Sequence, residues 1–238
     1  MIKEITSRDN LLYKELLHLK KGDGEKGLFF AEGEDLYREA RKEGALRTLI
    51  LPFGSAFPKD FENIVLLKDS LYKALSNYKS LPQCILLCEK PYAERLGERI
   101  VYLDGIQDPG NLGTIIRTAL AFSYDGVALS NDCVSLYNSK VIQSTKGAIF
   151  HIPVSRKDLL ELAREGYPIF LTTLDGEDME GIDSLGERFA LVLGNEGHGI
   201  RKEYLGLGRK IRIDMGNIDS LNVATAGAIF LYRYRRKR

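Results

Sequence analysis

Three short segments of this chain combine glycines with polar side chains in patterns that suit chemistry at a strand end. The first is Asp104-Gly105-Ile106-Gln107-Asp108-Pro109-Gly110-Asn111-Leu112-Gly113-Thr114-Ile115-Ile116-Arg117. It leaves an apolar run, passes a Pro/Gly turn and enters a helical pattern that Asn111 is placed to cap. From Pro109 to Tyr124 the sole formal charge is Arg117. A surface helix normally keeps a charged face, so this one is expected to be covered on most sides. Its lone arginine then needs either an internal carboxylate or a ligand anion. The second segment, Phe189 to Ile200, is an apolar run that empties into Gly194-Asn195-Glu196-Gly197-His198-Gly199. Such glycines let backbone approach a ligand closely, or they merely close a tight loop. Neither the dinucleotide fingerprint nor a phosphate-binding P-loop fits that spacing. The third segment is Ile213-Asp214-Met215-Gly216-Asn217-Ile218-Asp219-Ser220-Leu221-Asn222, followed by a small-residue run, Ala224 to Ala228. Ser220 is expected to cap the last helix, with Asn222 in its first turn.

These segments need strands to carry them. Beyond a polar stretch at Pro91–Gly97, strand and helix patterns alternate. Strands are expected at 100–103, 126–129, 149–154, 168–174, 189–193 and 210–213, with helices at 112–122 and 221–235. That alternation predicts a mostly parallel sheet covered on both faces, with ligands in the crevice at the carboxyl ends of its strands. The part before the boundary reads as a smaller α/β unit. Helices there are expected after Ser7, at 34–43 and at 70–74. Its strands are expected at 28–31, 46–51, 64–67 and 84–88, and Gly22-Asp23-Gly24 breaks the first helix. The domains are therefore drawn as 1–92 and 98–238.

Composition narrows the class. With 238 residues, 44% hydrophobic and 28% charged, the chain is ordinary for a globular protein of two modest domains. No apolar run approaches the roughly 20 residues that span a bilayer. Glu4 follows the start at once and no apolar core succeeds it, so no signal peptide is read and a cytoplasmic, membrane-free protein is expected. Cys84, Cys88 and Cys133 are an odd set without partners at metal-ligand spacing, and are expected to be small buried hydrophobes. No metal site is read. The net charge of +1 hides an uneven distribution, because Arg233, Arg235, Arg236, Lys237 and Arg238 crowd the end. That tail suits phosphate contact, or equally a helix terminus with a favourable end charge.

In order and content the three segments resemble the motifs of the SpoU family, within the SPOUT class of RNA methyltransferases. Those motifs are Asp-Pro-x-Asn-x-Gly-x-x-x-Arg, Gly-x-Glu-Gly-x-Gly, and Ser-Leu-Asn opening the last helix. Ser7-Arg8-Asp9-Asn10 and Phe29-Phe30-Ala31-Glu32-Gly33 resemble the family's N-terminal substrate domain, which is similar to a small RNA-binding ribosomal protein. The resemblance implies a C-terminal SPOUT domain with a parallel sheet and a deep trefoil knot, and a homodimer with a shared site. It implies an S-adenosylmethionine-dependent RNA 2′-O-ribose methyltransferase acting on ribosomal RNA rather than transfer RNA. A catalytically silent RNA-binding protein is the rival reading. On the resemblance, Arg117 engages the RNA, Asn111 and Glu196 hold it and the ribose edge, and Ser220 and Asn222 orient the same group from the other side. The cofactor is then enclosed by Thr173, Leu174, Gly194, Asn195, Glu196, Gly197, Ile213, Met215, Ser220, Leu221 and Asn222. Asp214 stands where the family commonly has proline, a departure the cofactor loop is expected to tolerate.

Overall fold

The computed structural model describes residues 1–21, 27–91, 95–216, 218 and 220–236. The expected break at Gly22-Asp23-Gly24, part of the 91–97 boundary, and Lys237 and Arg238 lie outside them. The chain divides into two compact units, Met1–Pro91 with Tyr137–Phe150, and Tyr92–Leu136 with His151–Arg238. The sequence predicts one cut near 92–97, whereas here a later segment also packs with the first unit.

The first unit builds a five-stranded sheet from β1 (Ile2–Ile5), β2 (Leu28–Glu32), β3 (Leu46–Pro52), β4 (Ile64–Leu67) and β5 (Ile85–Glu89), in the order β1-β4-β3-β5-β2. It is mixed: β5 runs antiparallel to β2 and β3, and the other pairs are parallel. Helices α1 (Leu11–Lys21), α2 (Glu34–Lys42) and α3 (Asp69–Leu75) cover it, joined by α5 (Ser139–Thr145) from the later segment. Tyr13, Leu16, Ile50, Leu71, Tyr72 and Ile85 are buried in its core. Removing such side chains from water supplies most of the stabilisation, at about 25 cal/mol per Å². Strand β1 is not foreseen by the sequence, since four residues with two apolar ends carry little pattern. Buried Glu32 accepts from Ser76 Oγ at 2.7 Å and from Asn77 N and Nδ2 at 2.8 and 2.7 Å, which ties β2 to the turn after α3.

The second unit holds β6 (Arg99–Leu103), β7 (Gly126–Leu129), β8 (Val154–Arg156), β9 (Ile169–Asp178), β10 (Phe189–Leu193) and β11 (Arg209–Arg212). They form one sheet, β11-β9-β10-β6-β7-β8, in which every pairing is parallel. Central β6 and β10 are buried throughout, as the apolar runs Ile100–Leu103 and Phe189–Leu193 in a doubly covered sheet should be. Helices α4 (Pro109–Ala121), α6 (Leu159–Arg164) and α7 (Val223–Arg233) complete the unit. Gly227 sets the seat of α7, because a Cβ there would lie 2.8 Å from Leu193 Cδ1.

One expected strand, at 149–154, is corrected. Residues Ala148–Phe150 form a 3-10 turn and the strand starts at Val154. Lys146 and Gly147 take positive φ there, and Pro153 has no N–H to give a ladder. Strand β9 runs on to Asp178, beyond the expected end at 174. Gly176 permits this: a Cβ on it would sit 2.6 Å from the Ile211 backbone. All three cysteines are buried, as expected. Burial raises the Cys84 thiol to about 12. Among the described residues no helix is long and apolar enough to cross a membrane.

Candidate active site

The carboxyl ends of β6, β10 and β11 each release one of the three segments. After β6 the chain turns at Gly105 (φ 69°) and enters α4 through Asp108. Asp108 is the cap, not Asn111 as the sequence suggested. Its Oδ1 accepts from Asn111 N at 2.7 Å, and Pro109 occupies the first helical position, where a missing N–H costs nothing. The cap of α7 is likewise Asn222 rather than Ser220, its Oδ1 accepting from Ala224 N at 2.9 Å and Thr225 N at 3.2 Å. Either residue could serve by type. The backbone turns helical only after Asn222, which decides it.

That cap fixes the chemistry of the next residue. With Asn222 Oδ1 committed to backbone donors, its Nδ2 donates to Asn111 Oδ1 at 3.1 Å. Asn111 must then present its own Nδ2 outward, and it donates to Glu196 Oε1 at 2.8 Å. One directed row thus joins α7, α4 and the loop after β10, across separations of 111 and 85 residues. The row ends on a carboxylate. Arg117 lies elsewhere on α4: it is exposed with Thr114 and Ala121 along one stripe. Among the described residues its side chain makes no hydrogen bond or ion pair, so no internal carboxylate partners it there. The expected covering of α4 holds for Leu112, Ile115, Ile116 and Ala119, and fails along that stripe.

The loop after β10 is braced from within. Asn195 exchanges both backbone bonds with Gly199, at 3.0 and 2.9 Å. Its Oδ1 accepts from Gly197 N and His198 N at 2.8 and 3.1 Å, and its Nδ2 donates to Gly105 O at 2.7 Å. Gly194 is demanded by that fold-back, since a Cβ would meet Gly199 C at 2.4 Å and Ile200 N at 2.5 Å. Gly199 has φ 68°. Gly197 is different: a Cβ would meet only Asn195 Oδ1, at 3.4 Å.

The segment after β11 is the opposite case. Its described residues between β11 and Asn222 enter no strand or helix. Ile213, Met215 and Leu221 are half-buried, and Ile218 is 56% exposed. Thr173 and Leu174 lie just past the last β9–β10 pair, Leu171↔Val192, and Leu174 is 66% exposed. Nothing lies within 4 Å of a Cβ built at Gly216. Exposed Ser220 has no hydrogen-bond partner among the described residues. Asp214, the departure noted above, pairs with Arg212 at 3.0 Å.

Comparison with known proteins decides what this arrangement is. The model of the SpoU rRNA Methylase family matches residues 98–232. Over 98% of this chain and 100% of the relative, identity is 34% to the 23S rRNA (guanosine(2553)-2'-O)-methyltransferase RlmP of Bacillus subtilis (strain 168). The chain belongs to the SpoU rRNA methylase family. A solved rRNA methyltransferase from Sinorhizobium meliloti superposes with a TM-score of 0.84 at 27% identity, covering 98% of this chain and 96% of that one. An AdoMet-bound rRNA methyltransferase from Sinorhizobium meliloti does so at 0.83 and 29%, covering 98% and 97%.

Within this SpoU frame two functional supports went unread in the sequence. Asp104, 1% exposed at the end of β6, accepts from Arg201 N at 2.8 Å and Arg201 Nε at 2.7 Å. Burial alone would lower the Arg201 pKa, but the Asp104 charge and its hydrogen bond outweigh that and hold it above its ordinary value. Ser130 Oγ accepts from Gly105 N at 2.9 Å. The first contact fastens the far end of the glycine loop to the end of β6, and the second fastens the turn after β6 to the end of β7. A charged residue closing an otherwise apolar strand was the available signal for Asp104. Among the described residues no cluster of three or more His, Cys, Asp or Glu could hold a metal.

Proposed function

We propose that this SpoU protein transfers the methyl group of S-adenosylmethionine to a ribose 2′-hydroxyl of ribosomal RNA, in the large subunit. The observation that carries this is the directed row Asn222–Asn111–Glu196, which gathers all three motifs at one end of a parallel sheet. The cofactor's place fits the residues present. Leu174, Ile213, Met215, Ile218 and Leu221 are apolar yet partly open to water, which suits walls for an adenine ring, and Gly197 and Gly216 leave room for close backbone approach. The relative bound to AdoMet supports the same reading. When bound, the sulfonium supplies an activated methyl group.

The protein's own share is positioning and proton management. Arginine keeps its proton at working pH, so Arg117 acts as a fixed planar cation on the 2′-hydroxyl and its neighbouring phosphate. Glu196, steered by Asn111, accepts from hydroxyl groups at the ribose edge. Ser220 adds a hydroxyl that has no partner among the described residues. We further propose a homodimer. The outward stripe of α4, with Arg117 its only charge, adjoins α7, where a groove of about 640 Å³ is lined by Met179, Thr225, Ala228, Ile229 and Tyr232 among others. Arg117 would then serve a site shared with a second copy. The deep trefoil knot belongs to this proposal too, formed by the loops after β10 and β11, as does an RNA-binding role for the first unit. A cytoplasmic setting follows from the substrate.

Titration of the purified chain with S-adenosylmethionine, NAD and ATP should show binding of the first alone. Arg117→Lys keeps the charge and loses the planar fork. Turnover at saturating RNA should fall by at least about a hundredfold, with cofactor affinity and Tm little changed. A variant turning over near the wild-type rate would remove Arg117 from the site.

A further inference from the structure

At the opposite end of the second unit the amino ends of β6 and β10 meet the last turn of α7. A pocket of about 240 Å³ opens there, and Arg99, Arg233, Arg235 and Arg236 line it together with Asp183 and Glu187. Four guanidinium groups present about twenty N–H donors, five each. Their bonds within the chain are few. Arg99 Nη2 reaches Glu187 at 3.2 Å and Gly186 O at 3.5 Å. Arg233 Nη2 reaches Glu180 O at 3.4 Å and Ile182 O at 3.1 Å. Arg235 caps its own helix through Tyr232 O, and Arg236 lies 3.5 Å from Asp125.

Two features separate this pocket from a solvated helix end. The Arg99 side chain is only 8% exposed, and its Nε, like that of Arg233, is buried without an acceptor among the described residues. Burying a guanidinium with its donors incompletely met is costly, so an anion that pairs with the remaining N–H groups of these side chains is favoured. The nearby carboxylates do not fill that role. Glu187 is 88% exposed, and Asp183, fully exposed, stands 3.8 Å from Arg233. Surface pairs of that kind contribute little and yield readily to a stronger anion. Planar forks around a small polar cavity suit a tetrahedral oxyanion.

We propose that this pocket binds a phosphate group, supplied by the RNA backbone or as free inorganic phosphate. The RNA source rests on the proposed function; the pocket itself does not. Helix α7 has 11 residues and so separates this pocket from Asn222 by about 16 Å. A backbone phosphate there lies roughly five stacked nucleotides from the methylated ribose, at about 3.4 Å per step. By sequence the basic tail suits phosphate contact and a charged helix end equally. The structure assigns Arg235 partly to the second and leaves Arg99, Arg233 and Arg236 for the first.

The test uses the full chain and the double variant Arg235→Gln/Arg236→Gln, with Arg99→Gln as a second probe if its Tm without phosphate matches the wild type. Inorganic phosphate, compared with chloride at equal ionic strength, should raise the wild-type Tm and raise the double variant's less. The log–log salt slope of 23S rRNA binding should become shallower by about 0.7–0.9 for each phosphate the variant no longer neutralises, with S-adenosylmethionine affinity unchanged. Loss of both effects in the variant assigns the site to the RNA backbone. Loss of the phosphate effect with an unchanged slope assigns it to free phosphate. A wild type that responds to phosphate but binds no rRNA keeps the pocket and removes the RNA reading. Identical phosphate response and salt slope in wild type and variant would overturn the proposal.

Discussion

The loop after β10 and the segment after β11 lie at the same end of one sheet, and they are built on opposite principles. The first spends its polar groups on itself: Asn195 satisfies three partners and Asp104 clamps Arg201 beyond it. The second has an exposed Ile218, half-buried Ile213, Met215 and Leu221, a glycine with empty space around it and a serine with no hydrogen-bond partner among the described residues. Preorganised polar groups belong where charge must be steered, because a catalytic carboxylate loses effect when it wanders. Open apolar surface belongs where a ligand's own surface completes the packing. Glu196 sits on the rigid loop, and the proposed adenine walls sit on the open one.

Substitutions can break this contrast. Gly194→Ala should have the largest effect, since its Cβ would stand 2.4 Å from backbone rather than from a side chain that can swing away. A loss of about 1–3 kcal/mol is expected, read by denaturant unfolding, together with loss of cofactor binding. Asn222→Ala comes next: it removes the α7 cap, worth about 1 kcal/mol, and frees Asn111 to turn its amide. Turnover should therefore fall more than Tm does. An effect on Tm alone would reduce Asn222 to a cap. Gly216→Ala should leave Tm unchanged and weaken S-adenosylmethionine a few-fold, seen by calorimetry. A Tm loss equal to that of Gly194→Ala would erase the distinction between the two regions.

A separate effect, read by pH, concerns the first unit. The Cys84 thiol, pushed up to about 12 by burial, stays protonated at neutral pH and should resist alkylation until the chain unfolds. Because its folded pKa lies above its unfolded value, near 9, its contribution to stability is complete below pH 9 and is lost as pH rises toward 12. A stability curve flat from pH 8 to 11 would contradict that.

The three segments were legible because each combines glycine, a polar side chain and an apolar strand end within a few residues. What joins them was not. Asp108 and Asn111, like Ser220 and Asn222, are both good caps by type, and only the point where the backbone becomes helical separates them. The Asp104–Arg201 pair spans 97 residues and leaves no local pattern. The strand expected at 149–154 begins only at Val154 because Gly147 and Pro153, not the apolar composition, set the local backbone. The association of Tyr137–Phe150 with the first unit depends on long-range packing, which no window of sequence carries.

The central claim is methyl transfer to a ribose hydroxyl, and the chemistry of the product tests it. The full chain is incubated with 23S rRNA and S-adenosylmethionine labelled in its methyl group, and the RNA is then hydrolysed in alkali. Backbone cleavage by alkali needs a free 2′-hydroxyl, so a ribose-methylated nucleotide remains linked to its neighbour. The account predicts the label in an alkali-resistant dinucleotide, in amounts that fall at least about a hundredfold in initial rate for Arg117→Lys. Label released on single nucleotides would place the methyl on a base, and unlabelled RNA from a chain that binds the cofactor would leave it without the proposed activity.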